Sequence, residues 1–275
     1  MFKLIVNGDD FGISSEVNRA VMEGFEMGVL QRTTWMANMP FAQEAVGLSE
    51  EKGFKASIGL HLNLTSGLPL TQEIRGMRRF CDAKGFFNAA FARNLKSRFF
   101  LSAAEGIAVR AEIRAQIEKY LEAGFPLKHL DSHHHIHTDF SIWKILEPLL
   151  KEYGFASVRL SRNIGAGVGL IKGLYKAVFN HHIARIHLAA SDLFGSFGDF
   201  EASLKDRNMA DHLSSHARNR ENFPPARLQS SLQAENYGIV EIMIHPMYKE
   251  GVLLDSTGGK DTPLEVIKVS LSESD

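Results

Sequence analysis

Short apolar runs alternate with amphipathic helical stretches along most of this chain, and that alternation limits the fold more than any other feature. Residues 3–7 form an apolar run stopped by Gly8-Asp9-Asp10-Phe11-Gly12, the pattern of a buried strand ending in a turn. Ser14 or Ser15 can cap the helix that follows, with Val17, Val21, Met22 and Phe25 on its apolar face and Gly28 at its end. Further strands are predicted at 33–38, 56–64, 127–132, 157–161, 189–194 and 238–244. Helices are predicted at 40–52, 103–124, 141–153, 170–188 and from Pro224-Pro225 to Asn236. In the second of these, 103–124, Ile107, Ile113, Ile117, Tyr120 and Leu121 recur at helical spacing. Residues 66–101 are rich in Arg and Phe with weak periodicity, and read as an insertion or lid carrying short helices. Strands alternating with helices imply a parallel sheet with right-handed crossovers. Seven such strands in 275 residues suit one α/β barrel domain spanning 1–275.

The polar residues fall where such a sheet does chemistry, at the carboxyl ends of its strands. Asp9 and Asp10 end the first strand and His61 and Asn63 the third. Asp131 and His133-His134-His135-Ile136-His137 end the fourth, and His245 the last. Four remote stretches can therefore converge on one mouth, and neutral imidazole is the commonest protein ligand for a transition metal. In strand register His133 and His135 would share one face, with His134 on the other. Each residue also has a plainer reading. Adjacent Asp residues suit a turn and a helix cap, a lone buried His is usually a hydrogen-bonded core residue, and a His before Pro can be structural. Two adjacent carboxylates ending an apolar strand nevertheless repel unless a cation or proton offsets them. Asn63 shares the strand face of His61, and Asp131 is placed to orient a ligand imidazole. His181, His182, His187, His212 and His216 have no converging acids and read as surface residues. Gly165, Gly167 and Gly169 lack the spacing and the acid of a dinucleotide fingerprint.

Composition narrows the partners. A net charge of −1 creates no field of one sign for nucleic acid or an anionic membrane. No run reaches the roughly 18 apolar residues of a membrane span, and the apolar N-terminus is too short for a signal peptide. A single cysteine, Cys81, allows no internal disulfide and fits a reducing cytoplasm. Self-association into a homo-oligomer is left open.

Four stretches together resemble the YdjC-like carbohydrate deacetylases, which include bacterial chitooligosaccharide deacetylases and related proteins of hopanoid biosynthesis clusters. They are Val6-Asn7-Gly8-Asp9-Asp10-Phe11-Gly12, Gly59-Leu60-His61-Leu62-Asn63-Leu64-Thr65, His129-Leu130-Asp131-Ser132-His133-His134-His135-Ile136-His137 and Glu241-Ile242-Met243-Ile244-His245-Pro246. The resemblance implies an incomplete (β/α) barrel of the glycoside hydrolase/deacetylase type. It implies one divalent metal ion on Asp10, His61 and His133, with Mg²⁺ suggested by the family. It implies Asp9 as catalytic base and His245 as the histidine assisting the leaving amine. Asn63, Asp131, His135 and His137 would orient ligands or touch substrate. The family's last motif usually continues His-Pro-Gly, whereas this chain has His245-Pro246-Met247.

The chemistry agrees. Amide hydrolysis needs an activated water, a polarised carbonyl and a proton for the departing nitrogen. Two imidazoles would favour Zn²⁺, an oxygen-rich open site Mg²⁺. The expected substrate is an N-acetylated sugar or oligosaccharide. Two rivals stand beside it. A phosphoesterase on the same barrel would use basic residues at the mouth, for which Arg159 and Arg162 are candidates. A non-catalytic sugar-binding relative would have no need of base, ligands and acid together.

Overall fold

The computed structural model describes residues 2–165, 169–205 and 238–272. The helix predicted from Pro224-Pro225 to Asn236, along with Gly167, His212 and His216, lies outside the described residues. The fold is α/β, of the incomplete (β/α) barrel class. Among the described residues its principal sheet has seven strands: β1 (Phe2–Phe11), β2 (Arg32–Trp35), β3 (Ile58–Leu62), β4 (His129–Ser132), β5 (Ser157–Val158), β6 (Leu193–Ser196) and β7 (Gly238–Ile244). Their order is β5-β4-β3-β2-β1-β7-β6. The chain separates into two compact units, residues 1–8, 23–32 and 156–275 in the first, and 9–22 and 33–155 in the second.

In the first unit β1 runs parallel to β7 from Phe2↔Gly238 to Gly8↔Ile244, and β6 parallel to β7 from Leu193↔Val240 to Ser196↔Met243. Every residue of β7 is buried, as expected for a strand covered on both faces. Beneath it Glu241 accepts from Arg159 Nε at 2.7 Å and pairs with Arg32 Nη2 at 2.7 Å, and Arg32 Nε donates to Asn7 Oδ1 at 2.7 Å. Arg159 and Glu241 are fully buried, and the Arg159 guanidinium lies over the Phe194 ring at 4.8 Å. The sixth strand starts later than its apolar run suggests. Asp192 Oδ2 accepts the Ile239 N–H at 2.6 Å, so a side chain takes the ladder's place there. Helix α8 (Leu170–Arg185) buries Phe179 and Ile183 but leaves Leu170, Ile171 and Leu174 exposed. Beyond Pro246, where the sequence reading stops, β8 (Pro246–Lys249) and β9 (Val252–Asp255) form an antiparallel hairpin. Its turn residues Glu250 and Gly251 both have positive φ, at 52° and 79°.

In the second unit β2, β3 and β4 form a parallel ladder: Thr33↔Ile58 to Trp35↔Leu60, then Leu60↔Leu130 to Leu62↔Ser132. Gly59 is required at this close approach, because a Cβ there would stand 2.9 Å from His129 Cδ2 and 3.1 Å from Thr34 Cγ2. Helix α6 (Ala103–Glu122) opens on a capping box between Ser102 and Glu105 and buries Ile113, Ile117 and Tyr120. Ile107, assigned to that face by spacing, is 68% exposed. Helix α7 (Phe140–Glu152) buries Trp143, Leu146, Leu149 and Leu150. The 66–101 segment carries three short helices, α3 (Gln72–Arg75), α4 (Ala90–Arg93) and α5 (Leu95–Phe99).

Candidate metal centre

The second unit brings Asp10, His61 and His133 together, with one ligand atom from each lying within 4.8 Å of the others. Asp10 Oδ1 is 2.7 Å from His133 Nδ1 and 3.1 Å from His61 Nε2. Three chain segments position them differently. His61 sits on the regular strand β3 and is 1% exposed. Asp10 lies at the end of β1 with φ 66°, a left-handed conformation that Asp tolerates better than most residues. The turn is held by Asn18, which accepts the Gly12 N–H at 2.7 Å and donates to Phe41 O and Glu44 Oε1 at 3.1 Å. His133 begins a turn, not a continued strand. Strand β4 stops at Ser132, and His134 and His135 have φ of 54° and 55°. The strand alternation that would align His133 with His135 therefore does not extend this far.

Behind His61 stands Asp131, fully buried, with Oδ1 2.6 Å from His61 Nδ1. Thr34 Oγ1 donates to Asp131 Oδ2 at 3.0 Å and lies 3.0 Å from the same imidazole nitrogen. Nδ1 is thereby committed to the carboxylate, which aims Nε2 toward Asp10 and His133. Nε2 is buried and makes no hydrogen bond. An orphaned imidazole nitrogen facing a carboxylate and a second imidazole is the donor set a divalent ion requires, so these residues fit one. Burial opposes a charge on His61, yet the charge of Asp131, the adjacent Asp10 carboxylate, the hydrogen bond to Asp131 and the charge of Asp9 push its pKa up to about 10. Burial likewise opposes the Asp10 carboxylate, but His133 and His61 hold it well below the usual range.

Asp9 is 2% exposed, and its carboxylate forms a second close group with His61 and Asp131. Asn63 is not in the cluster. Its Oδ1 accepts Thr65 N and Ser66 N at 2.9 and 3.0 Å, and its Nδ2 donates to Asn38 Oδ1 and Ser66 O, so it shapes the loop after β3. His137 is buried against Ser132, with Nδ1 2.6 Å from Ser132 Oγ. His135 is half-buried in the same loop. His134 keeps an exposed edge and lies 3.0 Å from Thr65 Oγ1; partial desolvation of its ring and the neighbouring His133 lower its pKa to about 4. In the first unit His245 donates its N–H to Asp255 Oδ1 at 2.8 Å, with Nδ1 3.0 Å from Thr257 Oγ1. Arg159 is committed to Glu241, and Arg162 pairs with Asp199. Neither of the basic residues that favoured a phosphoesterase carries an uncommitted charge.

Sequence reasoning missed Thr34, Gln116 and Glu112. Gln116 clasps the Asn63 backbone, accepting its N–H at 3.0 Å and donating to its carbonyl at 2.7 Å. Glu112, fully buried, accepts from Leu70 N, Thr71 N and Thr71 Oγ1. Both stand among Ile113, Ile117 and Tyr120 on the buried side of α6, and polar residues on an apolar face were the signal for them. Thr34 gave none, since Thr is ordinary in a strand.

The match to known proteins spans these stretches. A model of the YdjC-like protein family matches residues 3–267. The chain belongs to that family. It is similar to proteins named carbohydrate deacetylase. With that of Vibrio parahaemolyticus it is 31% identical over 260 residues, 93% of this chain and 82% of the relative. With that of Halalkalibacterium halodurans it is 36% identical over 180 residues, covering 64% and 72%. With that of Clostridium beijerinckii it is 37% identical over 151 residues, 55% of this chain and 57% of the relative, so here the match spans little more than half of the relative's length. Among solved structures, a protein of Enterococcus faecalis V583 superposes with a TM-score of 0.59 at 21% identity, over 90% of this chain and 82% of the other. That likeness speaks for the fold alone.

Proposed function

We propose that this chain is a metal-dependent carbohydrate N-deacetylase that hydrolyses the acetamide of an N-acetylated sugar or oligosaccharide to acetate and a free amine. The observation that carries the reading is the meeting of Asp10, His61 and His133, with Asp131 behind His61, in a chain whose relatives are named carbohydrate deacetylases. A divalent ion on those three residues would polarise the acetyl carbonyl and acidify a water. The choice between Mg²⁺ and Zn²⁺ turns on the two imidazoles, which favour Zn²⁺, against the family resemblance, which favours Mg²⁺.

The remaining steps belong to the chain's own side chains. Asp131 holds the His61 imidazole in one tautomer. Asp9 takes a proton from the attacking water as the oxygen joins the carbonyl carbon. His245 gives a proton to the nitrogen as the C–N bond breaks. The roles of Asp9 and His245 rest on the family resemblance of the stretches that carry them. His135 stands two residues beyond His133 and is our candidate for a substrate contact, while His137 and Asn63 shape the loops. A cytoplasmic setting rests on the single cysteine, Cys81, which is buried and free. The test is acetate release from N-acetylglucosamine oligomers by protein whose metal content has been measured, with and without chelator. Metal-replete protein that releases no acetate but cleaves a phosphoester would overturn the reading.

A further inference from the structure

The loop that carries His133 is anchored at both ends. At its start Ser132 Oγ accepts the His137 N–H at 3.0 Å. At its end stands Asp139, whose N–H donates to Ile136 O at 3.0 Å and whose side chain is 2% exposed. That carboxylate does not cap α7. Its charged partner is Arg98 of α5, with Nε 2.5 Å from Oδ1, reaching in from the 66–101 segment. Beside this pair Ser141 Oγ donates to Ser97 O at 2.9 Å, so two successive residues of α5 are seated on the first turn of α7. A buried carboxylate is costly unless it is paired. Burial pushes the Asp139 carboxyl up to about 6 even though Arg98 opposes it by charge and hydrogen bond. Between the two anchors His134 and His135 hold left-handed backbone, and such strain persists only where the surroundings over-determine it.

We infer that Arg98 is a positioning residue for the metal centre: through Asp139 it fixes the exit of the histidine loop and so the place of His133. The inference rests on the metal reading proposed above. With Arg98 in place, Asp139 stays ionised and buried, and the loop has one path between Ser132 and α7. Without it, Asp139 turns to solvent or takes a proton, the strained turn relaxes, and His133 no longer stays beside Asp10.

The experiment is calorimetric titration of the metal-free protein with Zn²⁺ and, separately, Mg²⁺, with circular dichroism of each variant to certify folding. Arg98→Ala is expected to weaken the ion about tenfold or more, the range typical of groups that orient a ligand. Arg98→Lys, which keeps the charge, is expected to recover most of that loss. A merely structural role would lower the melting temperature and leave the affinity of the folded protein unmoved. Should Arg98→Ala fail to fold, Asp139→Asn is read the same way and is expected to weaken the ion similarly. Parental affinity in the folded Arg98→Ala protein, or in Asp139→Asn where it replaces it, would overturn the inference. A Lys variant as poor as Ala would overturn it too. A parent protein that binds neither ion would overturn the metal reading as well, which separates the two failures.

Discussion

Replacing Asp131 should loosen the ion without abolishing its binding. Asp131 Oδ1 lies 2.6 Å from His61 Nδ1, and Oδ2 accepts from Thr34 Oγ1 at 3.0 Å. Asp131→Ala removes both acceptors and leaves His61 Nδ1 beside the Thr34 hydroxyl, at 3.0 Å. The imidazole then loses the charge that fixes its tautomer and the contact that fixes its ring angle. Loss of such an orienting group costs about 10–100-fold in metal affinity, or about 1.4–2.7 kcal/mol. Asp131→Asn keeps the volume and a carbonyl acceptor, so it should fall at the lower end of that range. His133→Ala removes a ligand and should leave no stoichiometric binding. Competition against a chelator of known affinity at fixed pH measures all three. Unchanged affinity in Asp131→Ala would refute the orientation argument. A loss as complete as that of His133→Ala would make Asp131 a ligand itself, through the second group of Asp9, His61 and Asp131.

Three further outcomes are expected. In the metal-free protein the His61 pKa is raised from 6.5 to about 10. Its stabilising contribution is therefore complete below about pH 6.5 and lost as pH rises through about 10, whereas metal affinity should climb up to about tenfold per pH unit over pH 7–9 as the ion displaces that proton. Calorimetry in buffers of different ionisation heat should find about one proton released from His61 per ion bound, and a pH-independent affinity would contradict this. Asp9→Asn and His245→Ala should both retain the ion and still bind an N-acetylated sugar, with turnover nearly abolished in the first and lowered about 10²–10⁴-fold in the second; parental acetate release in either would remove that residue from the mechanism. Glu241→Ala leaves two buried guanidiniums without their carboxylate and should cost about 3–5 kcal/mol in urea unfolding, while a loss below about 1 kcal/mol would mean that water replaces it freely.

The alternation of periods made the α/β class legible, and the placement of acids and histidines at strand ends made the cluster legible, because both depend on residue type and spacing alone. Strand β7 was readable to the residue, since Gly238–Ile244 is apolar, β-branched and bounded by Gly and His-Pro. What escaped depended on side chains replacing backbone partners. Asp192 takes an N–H that a ladder would have used, which shifts the start of β6. The hairpin beyond Pro246 turns on Glu250-Gly251, without the Asn-Gly or Asp-Gly signal that marks such turns. Asn63 matches its expected strand face but spends its hydrogen bonds on its own loop, a distinction that spacing cannot make. Arg159 and Arg162 looked available as bare charges, and only their carboxylate partners, 82 and 37 residues away, remove them from consideration.

The three ligand candidates are fixed in two physically different ways, and the difference explains why one was easier to read than the others. His61 sits on unstrained strand backbone, and its ring is aimed by side chains, Asp131 and Thr34. Asp10 and the turn after His133 are aimed by backbone. A chain that stayed extended would send the carboxylates of Asp9 and Asp10 to opposite faces; with φ at 66°, Asp10 departs from that alternation and its carboxylate reaches both imidazoles. Each such residue costs about 1–3 kcal/mol. The cost is offset by groups that never touch the cluster: Asn18, which staples Gly12 to Phe41 and Glu44, and the Met36 N–H, which donates to Phe11 O at 2.8 Å. Around His133 the offsetting groups are Ser132, Thr138 and Asp139. A centre built this way holds two acid- and imidazole-bearing turns against their own preference before any ion arrives. The electrostatic demand of an incoming cation then falls on side chains that are already in place, and His61 is the one whose proton must leave.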